Sequence, residues 1–181
     1  MAKLVTSVLL GASLVLASPA VRCGPGDGLG VSLETQKGLL AKLQMAYVFN
    51  IARFVTWPHD DGAVRLCLAS ESALARYARE LDGRDLGDGR HLVLELGAID
   101  FAHCDIAFFR NSEPVPAGVA AGTAPLTALT ISDRADALRR GFAMQLFLEA
   151  DAVRIAINAD LVARADYHTS SKLLRLARPP P

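Results

Sequence analysis

Short apolar strand patterns alternate with helical patterns along most of the chain, and this alternation constrains the fold more than any other feature. Each strand pattern is a brief apolar or alternating run bounded by turn residues. The predicted strands are residues 64–68, 91–96, 105–109 and 126–131. Parallel strands need long crossover connections, which are usually helices that cover the faces of the sheet. The sequence therefore predicts an α/β fold, a three-layer sandwich with a mixed, mostly parallel sheet.

The two ends of the predicted domain carry its longest helix and its clearest hairpin. Apolar residues recur at three-to-four spacing over residues 33–56, which predicts an amphipathic helix terminated by Pro58. Residues 142–148 and 152–158 flank a short turn, which predicts a closing antiparallel hairpin. Shorter helices are predicted from 70 to about 81, from Ser132-Asp133 through Leu138, from a cap at Asn158 to about 165, and after a cap at Ser170 or Ser171. The proline-bounded stretch 114–125 is left unassigned.

The charge balance excludes nucleic acid as the main partner. Nineteen basic residues match nineteen acidic ones, so the chain offers no basic surface for binding phosphates. Its 51% hydrophobic content is that of an ordinary globular protein of one domain.

The first twenty residues have the pattern of a secretory signal. An apolar stretch at 4–17 follows Lys3, and small residues stand before the predicted cleavage site after Ala20. The stretch is shorter than the roughly 20 residues that span a bilayer, although an uncleaved anchor is the alternative. The predicted divisions of the chain are a signal peptide at 1–20, a flexible linker at 21–31, an α/β domain at 32–178 and an exposed tail at 179–181.

Export makes a disulfide between Cys67 and Cys104 the favoured pairing, because extracytoplasmic compartments oxidise thiols. Cys67 lies in a predicted strand and Cys104 just before another. Neighbouring strands lie within the Cα separation that a disulfide needs. The alternative is two buried thiols that pack as small hydrophobes. Cys23, in the predicted linker, is expected to be free.

No catalytic or metal-binding signature is found in the sequence. The four histidines are isolated, so none belongs to the pair on one helix face that binds zinc. His103 precedes Cys104, but neighbours in an extended segment point to opposite faces, which prevents activation of a nucleophile. The glycine-rich segment 83–89 lacks the flanking strand and Lys-Ser/Thr of a phosphate loop. We expect no enzymatic activity, no cofactor and no metal.

Residues 46–58 read Ala-Tyr-Val-Phe-Asn-Ile-Ala-Arg-Phe-Val-Thr-Trp-Pro and resemble the opening helix of the YfiR family (DUF4154) of periplasmic proteins. Further similar segments follow in the order that the family shows, at 64–68, 89–90, 104–109, 129–133, 153–158 and 170–177. The resemblance covers about residues 36–178. The family's cysteine pair maps onto Cys67 and Cys104. Its second disulfide has no counterpart here, because no cysteine follows Cys104.

The resemblance implies a periplasmic regulator without catalysis. Its best-known members bind the periplasmic sensor domain of an inner-membrane diguanylate cyclase and repress it, which lowers cyclic diguanylate and biofilm formation. The candidate partner-binding residues are Asn50, Phe54, Trp57, Asn158 and Ser171. Each also has a structural interpretation, as a polar helix residue, an aromatic core residue or a helix cap. A periplasmic small-ligand sensor and an unrecognised periplasmic enzyme are the alternative functions. The oligomeric state is left open, although homodimers are common among such regulators.

Overall fold

The computed structural model describes residues 32–69 and 72–180. The predicted signal peptide, the linker with Cys23, and residues 70, 71 and 181 lie outside the described residues. The strands are β1 (Val55–Thr56), β2 (Ala63–Leu68), β3 (His91–Leu96), β4 (Ile106–Phe109), β5 (Leu129–Ser132), β6 (Met144–Glu149), β7 (Ala152–Ile157) and β8 (His168–Thr169). The helices are α1 (Leu33–Arg53), α2 (Ala75–Ala78), α3 (Ala117–Ala120), α4 (Ala159–Ala163) and α5 (Ser171–Leu176), and Leu138–Arg140 forms a 3-10 turn.

The central sheet has six strands in the order β3-β2-β4-β5-β6-β7. Every neighbouring pair is parallel except β6 and β7, which are antiparallel. The β1 and β8 strands form a separate two-stranded antiparallel sheet. The predicted mixed, mostly parallel sheet with a closing hairpin is confirmed.

Alternate side chains of β4 enter two hydrophobic cores on opposite faces of the sheet. In β4, Ile106 and Phe108 join a large core that includes α1, α2 and α5 residues. Ala107 and Phe109 face a smaller core that contains Val119 of α3. This alternation follows from the two-residue period of a strand and gives the layered sandwich that the sequence predicts.

The first helix is anchored by a buried stripe in its second half, from Ala41 to Ala52. Ser32 caps it by accepting a hydrogen bond from the backbone N–H of Thr35 at 3.2 Å. The prediction that the helix continues to residue 56 is wrong, because it ends at Arg53. Val55 and Thr56 instead pair with Thr169 and His168 across β1 and β8. Strand pairing, and not Pro58, terminates the helix.

Two predicted helices differ from the structure: the one predicted from 70 to about 81 and the one predicted from Ser132-Asp133 through Leu138. Between 72 and 81 only the four residues of α2 are α-helical, and turns flank them. Ser132 is the last residue of β5, so it does not cap a helix. The 3-10 turn that follows has no side-chain cap and ends at Gly141, whose φ is 87°. Asn158 caps α4, as predicted. Ser170 rather than Ser171 caps α5.

The closing hairpin has a two-residue loop. Glu149 pairs with Ala152, so Ala150 and Asp151 alone connect β6 to β7. Both loop residues have positive φ, 48° and 62°. Such loops match the right-handed twist of the flanking strands.

Candidate functional site

The aromatic residues that follow α1 are part of the core. Trp57 is only 5% exposed and its ring lies 5.7 Å from that of Tyr167, centroid to centroid. Burial raises the pKa of the Tyr167 hydroxyl above its usual value. Trp57 Nε1, Tyr167 OH and Thr169 Oγ1 are buried, and none has a hydrogen-bond partner among the described residues. Trp57 is therefore placed to hold β1 and β8 against the core and is shielded from direct contact with a partner.

Three of the five predicted partner-binding residues lie close together near the junction of α1 and α5. The backbone N–H of Ser170 donates to the carbonyl oxygen of Phe54 at 2.9 Å, which brings Phe54 next to Ser171. Asn50 is exposed one turn earlier on α1, and Ser171 is also exposed. Asn158 is placed differently, because its side chain accepts from the backbone N–H of Leu161 at 3.1 Å and caps α4.

Exposed leucines extend from this junction along both helices. Leu39 and Leu43 are 58% and 38% exposed on α1, and Leu174 and Leu176 are 46% and 61% exposed on α5. Leu39, Leu43 and Asn50 share one face of α1, because they are separated by four and seven residues. We call Leu39, Leu43, Leu174 and Leu176 the leucine face. Each of the four is a large apolar side chain in contact with solvent, the kind of side chain from which protein-binding surfaces are built.

A disulfide joins Cys67 and Cys104, as the sequence favours. Their Cα atoms are 5.8 Å apart, and both residues are buried. Cys67 projects from the face of β2 opposite Leu66 and Leu68, which belong to the large core. The bond therefore ties β2 to the segment that leads into β4.

A polar cluster that the sequence did not reveal lies beside this disulfide. Asp105, the residue after Cys104, donates its backbone N–H to the Arg65 carbonyl and accepts from the Arg65 N–H through its carboxylate. Its carboxylate also lies 2.6 Å from Nε2 of His59, whose Nδ1 lies 3.0 Å from the carboxylate of Asp61. Because carboxylates only accept hydrogen bonds, both ring nitrogens must donate, so this arrangement suits the imidazolium form. The sequence gives no local sign of this contact, because His59 and Asp105 are 46 residues apart.

The electrostatics of the cluster agree with a charged histidine. Burial, the largest single influence, lowers the pKa of His59, but the hydrogen bonds and charges of Asp105 and Asp61 together raise it. The hydrogen bond from the Arg65 guanidinium is the main reason that the pKa of Asp61 falls to about 2. The cluster holds the segment after α1 against the start of β4.

The described part of the chain offers neither a metal-binding cluster nor a membrane-spanning helix. Within residues 32–69 and 72–180, no group of three or more His, Cys, Asp or Glu side chains is arranged to hold a metal ion. Over the same residues, no helix combines the length and apolar character needed to cross a membrane.

Comparison with protein-family models identifies the family to which the chain belongs. The model of the YfiR/HmsC-like family (DUF4154) matches residues 41–178, from within α1 to just past α5. The chain belongs to the YfiR/HmsC-like family. The match covers the whole central sheet and confirms the resemblance seen in the sequence. The family is one of regulatory, non-catalytic proteins, and membership suggests a periplasmic regulator of cyclic diguanylate signalling. A search of curated proteins gives no significant match.

Proposed function

We propose that this YfiR/HmsC-like protein represses an inner-membrane diguanylate cyclase by binding the cyclase's periplasmic sensor domain. The family match over residues 41–178 carries the proposal. Repression lowers cyclic diguanylate in the cytoplasm and with it biofilm formation. The predicted signal peptide supports this location, because the protein must meet the sensor domain outside the cytoplasm.

The leucine face is the surface that we assign to the cyclase. Asn50, Phe54 and Ser171 lie where α1 meets α5, between the two pairs of exposed leucines. The centre of a protein interface is typically apolar and its rim polar, which matches leucines beside an exposed asparagine and serine. Trp57 is a buried core residue and Asn158 is the cap of α4, so neither is assigned a direct contact with the cyclase.

Repression requires that the protein bind one arrangement of the sensor domain more tightly than another. A ligand with equal affinity for both states shifts neither, however tightly it binds. The regulator must therefore recognise features of the sensor domain that differ between its active and inactive arrangements. The leucine face would contact those features.

The proposal is tested by measuring cellular cyclic diguanylate in a strain that lacks this protein. We expect a rise that the wild-type gene reverses, and we expect the rise to disappear when the cyclase that the protein represses is also removed. The variant Leu43→Ser/Leu174→Ser should fail to reverse the rise. An interface would bury the exposed fractions of Leu43 and Leu174, 38% and 46% of their surfaces, so losing both costs roughly 1 to 2.5 kcal/mol and weakens binding by about 5- to 70-fold.

A matched control uses another exposed leucine. Leu148 is 53% exposed on β6, outside the leucine face, so Leu148→Ser should still restore low cyclic diguanylate. Thermal unfolding of both purified variants checks that they remain folded. No rise in the deletion strain, under conditions where the wild-type protein is produced, would contradict repression of a cyclase. Equal failure of both variants would contradict the assignment of the surface.

A further inference from the structure

The sheet contains a topological switch point between β2 and β4. From β2 the chain turns to one side to reach β3, whereas from β4 it turns to the other side to reach β5. Leu74 before α2 belongs to the large core and Val119 of α3 to the small one, so the two connections also cover opposite faces. In open α/β sheets, ligands bind in the crevice where the carboxyl ends of such strands diverge.

A crevice of about 560 Å³ lies at this position. Its walls are the first half of α1, the residues around α2, and Arg110, which directly follows β4. The residues Ser70 and Glu71 lie outside the described chain and take no part in the assignment.

Cationic side chains outnumber acidic ones in the described lining of the crevice. Lys37, Arg76, Arg79 and Arg110 line it, and among the described lining residues Glu34 is the one acidic side chain. Glu34 forms an ion pair with Lys37 at 3.2 Å, and Arg110 contacts Asp133 at 3.2 Å. Arg76 and Arg79 lie on the α2 side, facing α1. The arrangement has the charge expected of a site for anionic oxygen groups.

One of these cations is held in place by a close approach between helices. A Cβ atom at Gly38 of α1 would lie 2.8 Å from the hydroxyl oxygen of Tyr77. That hydroxyl accepts a hydrogen bond from Nη2 of Arg76 at 2.8 Å, and the guanidinium lies 4.7 Å from the Tyr77 ring centroid. A glycine inside a helix is destabilising, and here it makes room for the tyrosine that positions Arg76. A cation that is already positioned loses less freedom when it binds a ligand.

We propose that this crevice binds a small molecule that carries two or more phosphate or carboxylate groups. Two groups are needed because the cations stand on different walls, with Arg76 and Arg79 beside α2 and Arg110 at the end of β4. The crevice borders the leucine face at Leu39, which lines an adjoining groove with Arg76 and Tyr77, but anion binding there needs no cyclase. It gives the regulator a ligand-binding input of its own.

The test is isothermal titration of the purified exported protein with inorganic pyrophosphate and, in a second arm, with citrate, at constant ionic strength. We expect saturable binding of at least one of them, and the stronger of the two shows whether the site prefers phosphate or carboxylate. The variant Arg76→Gln/Arg79→Gln should bind about tenfold more weakly or worse, because two charged hydrogen-bond donors are lost. The variant Gly38→Ala should also weaken binding by displacing Tyr77.

A control variant removes two exposed arginines elsewhere. Arg139 and Arg164 are exposed and do not line the crevice, so Arg139→Gln/Arg164→Gln should bind as the wild type does. An equal loss in this control would show that net charge alone attracts the anions and would overturn the proposal. The absence of saturable binding by both probes would also overturn it. These measurements use the isolated protein, so their failure leaves the repression of a cyclase untouched.

Discussion

Removing the Cys67–Cys104 disulfide should destabilise the protein by an amount that follows from the size of the loop it closes. The two cysteines are 37 residues apart in sequence. On the chain-entropy model, a loop of that size contributes about 3.8 kcal/mol at 25 °C by restricting the unfolded chain. For a domain of about 150 residues, each kcal/mol shifts the melting temperature by about 2 to 4 °C, so we expect a decrease of about 8 to 15 °C.

The assay is thermal unfolding of the wild-type protein with and without a reductant, followed by circular dichroism. The variant Cys67→Ala/Cys104→Ala avoids leaving one unpaired thiol in the buried site. It should melt near the temperature of the reduced wild type and should not respond to the reductant, because only Cys23 remains. A small further loss is expected in the variant, since the two alanines fill less of the buried space than two thiols.

Two outcomes would refute the reasoning. Equal melting temperatures for the oxidised and reduced wild type would show that the bond is absent in solution or adds nothing to stability. A double variant that melts as high as the oxidised wild type would show that the unfolded chain gains no freedom when the loop is opened. Either result would favour the alternative interpretation, in which Cys67 and Cys104 contribute to stability only by packing as small buried hydrophobic residues.

Two further predictions concern single side chains. The raised pKa of His59 means that the folded state binds its proton more tightly, so its contribution to stability is full below the unfolded pKa and is lost as pH rises through the folded value. Urea unfolding should therefore show a larger loss for His59→Gln at pH 5.5 than at pH 8, and an equal loss at both would contradict the ion-pair geometry. Gly141→Ala should cost more than about 1 kcal/mol, because φ is 87° and the new Cβ would lie 2.3 Å from the Val119 carbonyl oxygen. In the control Gly83→Ala, φ is also positive but the space is open, so chemical denaturation should show a smaller loss.

The parts of the fold that could be predicted from sequence are those with a local pattern. The strands β2 and β3 and the closing hairpin were predicted within one or two residues, because a buried strand needs consecutive or alternating apolar side chains wherever it lies. The cap at Asn158 was predicted for the same reason, since it depends on its own backbone and the following turn.

The parts that could not be predicted depend on partners that are distant in sequence. The β1 strand has two residues and exists only because β8, more than a hundred residues later, pairs with it. Without that pairing, the apolar period of α1 continues through Thr56, and a longer helix is the natural prediction. The His59–Asp105 cluster is of the same kind, because neither residue is unusual until the fold brings them together. The cationic crevice also depends on topology, since Arg110 reaches it only by following β4.

The first helix joins the two proposals, because it carries residues of both sites. Lys37 and Gly38 lie in the crevice wall, while Leu39 and Leu43 lie on the leucine face. The buried residues of α1, from Ala41 to Ala52, pack in the large core beside both sites. If the anion and the proposed cyclase each favour one position of α1, binding of either would change the affinity for the other by the same factor. The variant Arg76→Gln/Arg79→Gln separates the two sites in the deletion strain. If it loses anion binding but still lowers cyclic diguanylate, the crevice regulates repression and is not part of the surface that binds the cyclase.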